Sequence, residues 1–176
     1  VATLMMAMFP VVVNAQIMPG SKNLGAIWMV GDSITQGNAD NDATSSPRSA
    51  VFDLLDAAGY SFTFTGHHTF NPEGLPASGD TPSTNLYQYH SGISGNVISQ
   101  LTIRLTNDWT RNTRSRLTVE KPNVVMIMLG TNDINRNSNV SNAPDRLSNY
   151  VDQIYNQPDV GNPTIFVASI PPIRTD

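Results

Sequence analysis

A chain of 176 residues with 39% hydrophobic and 14% charged residues has the size and apolar content of a single domain with its own core, and is too large to depend on disulfide staples. A net charge of -4, with only ten Lys and Arg scattered along the sequence, excludes the clustered basic surface that neutralises nucleic-acid phosphates. The absence of cysteine excludes disulfides, thiolate nucleophiles and cysteine-ligated zinc.

Residues 1–13, VATLMMAMFPVVV, form an uncharged apolar run too short to span a bilayer, and Val13, Asn14 and Ala15 have the small-residue spacing of a signal-peptidase site. Residues 1–15 are therefore expected to be part of a secretory signal whose basic segment and initiator Met are missing, marking an exported chain with no membrane span. Residues 26–30 are continuously apolar, as in a strand buried on both faces, and Gly31 then delivers Asp32 and Ser33 into a turn. A glycine bend at the carboxyl end of a strand is where α/β folds present polar chemistry. The same two residues also suit a simple helix cap.

Ser46 and Pro47 suit a helix start, Val51, Leu54, Leu55 and Ala58 follow at helical spacing, and Gly59 supplies a stop. Residues 61–65, SFTFT, alternate as a second strand. Residues 66–94 lose all periodicity and carry Tyr87, Tyr89 and the three histidines, and loops of that length are usually functional. Helical spacing returns at Val97, Ile98, Leu101 and Leu105. After Pro122 the apolar run 124–129 ends at Gly130 and delivers Thr131, Asn132 and Asp133, repeating the strand-to-turn geometry of Ser33. Pro144 leads a helix carrying Leu147, Tyr150, Val151, Ile154 and Tyr155, and residues 164–170 read as a fourth strand.

Strands alternating with helices imply a parallel sheet covered on both faces, an α/β/α three-layer sandwich with both polar turns at one edge. A buried-type strand close to the last residue, Asp176, with no helix after it leads to the expectation that a last strand and helix are missing.

A serine nucleophile needs a base and a set of oxyanion donors. Gly95 stands where the chain enters a helix, so its N–H is unpaired by that helix. Asn132 offers an amide donor, and the Ser33 N–H a third. Asp32, His90, Tyr89 and Trp109 are candidate substrate contacts, with Tyr87 a further aromatic that offers a stacking face. Asn38 stands where a phosphate-binding loop requires Lys, and acidic residues do not cluster with His at ligand spacing, so neither cofactor nor metal is expected.

GDSITQG at 31–37, GISGN around Gly95 and GTND at 130–133 resemble, in order, the first three sequence blocks of the SGNH (GDSL-like) hydrolases. Arg48, LLDAAGYSFTFTG and YHSGISGNVISQL make the chain most similar to the family three carbohydrate esterases, the acetyl xylan esterases, over roughly residues 26–172. The resemblance implies a flavodoxin-like sheet, Ser33 as nucleophile, and the Ser33 N–H, Gly95 N–H and Asn132 amide as oxyanion hole. It further implies an Asp-x-x-His block holding the general base. Here the sequence departs from the pattern, because Phe64, Thr65 and Tyr87 stand three before His67, His68 and His90. The catalytic His and Asp are thus not in this sequence. His90 is the substitute base to consider, and Asp133 reads as a loop-bracing carboxylate.

The resulting expectation is a hydrolase domain over 16–176, C-terminally truncated. It is expected to be a secreted, monomeric serine esterase that removes acetyl groups from a polysaccharide such as xylan, weak or inactive without its base. A carbohydrate-binding pseudoenzyme is the alternative, as is lipase-like or thioesterase activity within the superfamily.

Overall fold

Continuous apolar runs become the strands of one parallel sheet because both faces of each run need covering. The computed structural model describes residues 22–37, 46–66, 89–106, 121–157 and 160–171. Its strands are β1 (Asn23–Gly31), β2 (Ser61–Thr65), β3 (Ser91–Gly92), β4 (Val124–Met128) and β5 (Thr164–Val167). They run in the order β2-β1-β4-β5, all pairs parallel, with β3 also on β1. β4 occupies one edge of β1 from Ile27 to Gly31, so β3, paired with Val30 and Gly31, continues the opposite edge where β2 stops at Trp28.

The helices are α1 (Ser33–Gln36), α2 (Pro47–Ala57), α3 (Ile98–Thr106), α4 (Thr131–Asn135) and α5 (Ala143–Tyr155), with a 3-10 turn at Val140–Asn142 before the last. On one face of the sheet, Trp28, Val30, Val125, Ile127 and Ile165 pack against Ile98, Leu101 and Leu105 of α3 and Tyr150, Val151 and Ile154 of α5. On the other face, Ile27, Met29, Phe64 and Val124 meet Val51, Phe52 and Leu55 of α2. This is the three-layer α/β/α sandwich expected from the alternation of elements.

The structure differs from the sequence reading in four places. β1 begins at Asn23, because its polar first residues pair with β2 even though they are not buried. Leu54 is 72% exposed and Ala58 is exposed, and Phe52 turns inward instead. It meets Phe62 edge-on at 5.5 Å between ring centroids, so the buried arc of α2 is Val51, Phe52 and Leu55. β5 stops at Val167 and buries only Ile165, with Phe166 and Val167 exposed. Finally, the two-residue β3 and the five-residue α4 are too short to leave a periodic trace in sequence.

The expected signal segment at 1–15, along with His67, His68, Tyr87 and Trp109, lies outside the described residues. No helix among the described residues is long and apolar enough to cross a membrane.

Candidate active site

Three turns gather around the carboxyl end of β1. In the first, Asp32 is the N-cap of α1 and its Oδ1 accepts the Ile34 N–H at 3.0 Å. Ser33 is the first residue of that helix, half-buried. The cap reading of this motif is therefore met by Asp32, which leaves Ser33 as the first residue of the helix. Helix starts leave their first N–H groups without intrahelical partners, and among the described residues the Ser33 N–H has no acceptor.

α1 lasts four residues because Gly37, at φ +73°, turns the chain left-handed and donates its N–H back to the Ser33 carbonyl at 3.0 Å. The carbonyls at that end are met by a fully buried arginine. Arg48 donates from Nη1 to the Thr35 carbonyl at 2.8 Å and from Nη2 to the Gln36 carbonyl at 3.3 Å, while the Ser46 hydroxyl donates to Thr35 at 3.0 Å. A cation at a helix C-terminus complements the partial negative charge there.

The second turn is tied to the first through the sheet. Gly92 pairs opposite Gly31, and the Ile93 N–H donates to the Gly31 carbonyl at 3.0 Å. The Asn96 N–H closes the turn on the Ile93 carbonyl at 3.2 Å, and Gly95 between them adopts φ +75°. Left-handed backbone of this kind favours glycine, and a Cβ here would also stand 2.8 Å from the Arg136 guanidinium.

The third turn follows β4. The half-buried Asn132, second residue of α4, donates from Nδ2 to the Asn96 carbonyl at 3.0 Å, which uses one amide hydrogen and leaves the other. Asp133 is fully buried, accepting the Ile98 N–H at 3.0 Å and Arg146 Nη2 at 2.7 Å. It braces the start of α3, as the sequence reading has it. The three turns thus bring together Ser33, the Gly95 loop and Asn132, each presenting a donor at the same sheet edge.

Residues 29–176 match the GDSL-like lipase/acylhydrolase family. The chain belongs to that family. Among solved structures it is similar to a Clostridium thermocellum family 3 carbohydrate esterase, at 30% identity and a TM-score of 0.61 over 82% of this chain and 60% of that one. TesA shares the fold at 20% identity and a TM-score of 0.51, over 81% of this chain and 58% of that one. No curated protein matches by sequence. The chain spans about three fifths of the length of these solved relatives.

Within this GDSL-like domain the remaining candidates fall out differently. His90 is fully buried and its Nδ1 accepts the Gly92 N–H at 3.0 Å. A neutral imidazole has one basic lone pair, and in His90 the Gly92 N–H engages it within a buried ring. Asp32 is likewise fully buried, which corrects its reading as a substrate contact. Burial pushes its carboxyl above the ordinary value of 3.8, opposed by the Ile34 N–H and the Thr131 side chain. Tyr89 is 48% exposed and Trp109 lies outside the described residues. No group of potential metal ligands occurs among the described residues.

Sequence reasoning missed Gln36, Asn96 and Arg146. Asn96 acts through its backbone carbonyl and Arg146 is thirteen residues from its carboxylate partner, so neither leaves a local motif. Gln36, a buried polar residue inside GDSITQG, was the readable signal.

Proposed function

We propose that this chain carries the acyl-enzyme site of an esterase acting on acetyl or other small acyl esters of a polysaccharide such as xylan, working outside the cytoplasm. The observation that carries the reading is the convergence of the Ser33 turn with the Gly95 loop and Asn132, joined by the Gly31–Ile93 and Asn96–Asn132 hydrogen bonds. Ser33 Oγ attacks the ester carbonyl while its proton passes to a base from solution and on to the leaving alcohol, and the oxyanion that forms accepts from the Ser33 N–H, the Gly95 N–H and the second Asn132 amide hydrogen. The alcohol departs, water attacks the Ser33 ester, and the acid is released. Similarity to the family 3 carbohydrate esterase supports the substrate class.

The Asp-x-x-His pair does not occur in these 176 residues, so slow acylation is the expectation, at the residual level that oxyanion donors and binding provide. A second reading, which the similarity to a carbohydrate esterase also supports, is a carbohydrate-binding protein that presents the donors without the chemistry.

Incubation with p-nitrophenyl acetate and added imidazole as external base separates them, with mass spectrometry of the Ser33 peptide as readout. Acetylated Ser33 should accumulate, and Asn132→Ala should slow its formation by about 100-fold to 1000-fold while the protein stays folded. Ester cleavage that Ser33→Ala leaves intact would reject the esterase site; oligosaccharide binding without any acetylation would favour the binder.

A further inference from the structure

Gln36 ends α1, three residues after Ser33, and is 9% exposed. Its backbone belongs to the nucleophile turn: its N–H donates to the Asp32 carbonyl at 3.0 Å and its carbonyl accepts from the buried Arg48. Its side chain belongs to the other turn, for Oε1 accepts the Ser94 N–H at 2.6 Å. A buried polar side chain is costly unless its partner is fixed, and here the partner is the residue directly before Gly95. The sheet edge allows this reach because Gly92 lies flat on the Gln36 backbone, where any Cβ would collide with the Gln36 nitrogen.

The bonded N–H belongs to the Ile93–Ser94 peptide, whose carbonyl accepts the Asn96 N–H across the turn at 3.2 Å, so Gln36 holds the other end of that peptide, one residue before the Gly95 N–H. Ile93 is tied to Gly31 and the Asn96 carbonyl to Asn132, one on each side. Between them Ser94 is exposed, Gly95 is at φ +75°, and among the described residues the Gln36 amide oxygen is the only acceptor for the Ser94 N–H. Glycine has wide conformational freedom, so a peptide adjoining it turns easily once its neighbour is released, and the Gly95 N–H turns with it.

We infer that Gln36 is the positioning residue of this site: it fixes the direction of the Gly95 N–H relative to Ser33, without itself touching the ester. The inference rests on the reading of Ser33 and Gly95 as nucleophile and oxyanion donor. It makes the oxyanion hole an extension of the nucleophile helix.

The test uses the full chain with Gln36→Met, which keeps length and loses the acceptor, and Gln36→Glu, which keeps an acceptor oxygen. Two quantities are read: exchange of the Ser94 amide by NMR, and Ser33 acetylation by p-nitrophenyl acetate across a concentration series. Gln36→Met should speed Ser94 exchange roughly tenfold, the loss of one hydrogen bond. It should lower the maximal acetylation rate about 10-fold to 100-fold with the half-saturating concentration unchanged, the effect of a misplaced donor. Gln36→Glu should restore both. Ser94 exchange equal in wild type and Gln36→Met, or an acetylation rate that Gln36→Met leaves unchanged, overturns the inference. So does a defect that Gln36→Glu fails to restore. If wild type acetylates no faster than Ser33→Ala, the esterase reading falls, and the exchange measurement alone decides whether Gln36 holds the turn.

Discussion

The turns after β1 and β4 share a backbone plan and use their acids in opposite ways. Each begins with a buried strand, breaks at a glycine, and enters a helix of four or five residues carrying a reactive or donor side chain. In the first turn the carboxylate bends back onto its own helix, Asp32 capping Ile34. In the second, Gly130 occupies the cap position of α4 without a side-chain bond, and the Asp133 carboxylate turns away to the start of α3 and to Arg146 on α5. The orientation of Ser33 is thus set within a few residues, whereas that of Asn132 depends on two helices from elsewhere in the chain. The first turn is built locally; the arrangement of the three turns around it has to be wired.

Asp133→Ala breaks the wired turn and carries the largest expected effect. It removes the acceptor at the start of α3 and strips Arg146, whose side chain is 21% exposed, of its carboxylate. Losing a cap costs about 1 kcal/mol, and breaking a buried ion pair adds more by stranding the remaining charge. A loss of roughly 3 kcal/mol in urea unfolding is expected, together with slower Ser33 acetylation as Asn132 drifts. Arg146→Met keeps the cap, since Asp133 still accepts from Ile98, but leaves the fully buried carboxylate without its counter-charge, so it should cost a comparable amount, about 3 kcal/mol. A loss from Arg146→Met far below that from Asp133→Ala would mean that the helix cap, rather than the ion pair, holds the turn.

This contrast also explains what was legible in the sequence. The locally built turn was readable: an apolar run, a glycine, then Asp32 and Ser33, with the ambiguity being whether the pair caps a helix or presents a nucleophile. Buried runs at Ile27–Val30 and Val124–Met128 and the α3 face of Ile98, Leu101 and Leu105 carried enough periodicity to fix strands, helix and layer order. On α2 the pattern failed, since Leu54 and Phe52 are equally apolar and it is Phe52 that packs on the cluster of Ile27, Met29, Phe64 and Val124, edge-on to Phe62. Part of the wiring was invisible because its acceptors are backbone carbonyls, at Asn96, Thr35 and Gln36, to which every residue type contributes alike. His90 was readable as a candidate, and the Gly92 N–H that engages its lone pair was not.

The smallest expected effect comes from the self-contained turn, through Asp32→Asn. The substitution keeps an oxygen to accept the Ile34 N–H and removes only the charge. Burial raises the folded-state pKa of Asp32 above its ordinary 3.8, so the folded protein holds this proton more tightly than the unfolded chain does. The sign follows: the stabilisation tied to that proton is fully present below the unfolded pKa and is lost as pH rises through the folded value. Ionisation of Asp32 therefore works against the fold, and an asparagine there carries no such charge. Thermal unfolding compared across pH should find wild type and Asp32→Asn closest near the acidic end, with the variant gaining by a few degrees as pH climbs to neutrality. A variant that instead loses ground to wild type as pH rises would show that the Asp32 charge serves the turn, through Ile34 and Thr131, by more than its burial costs.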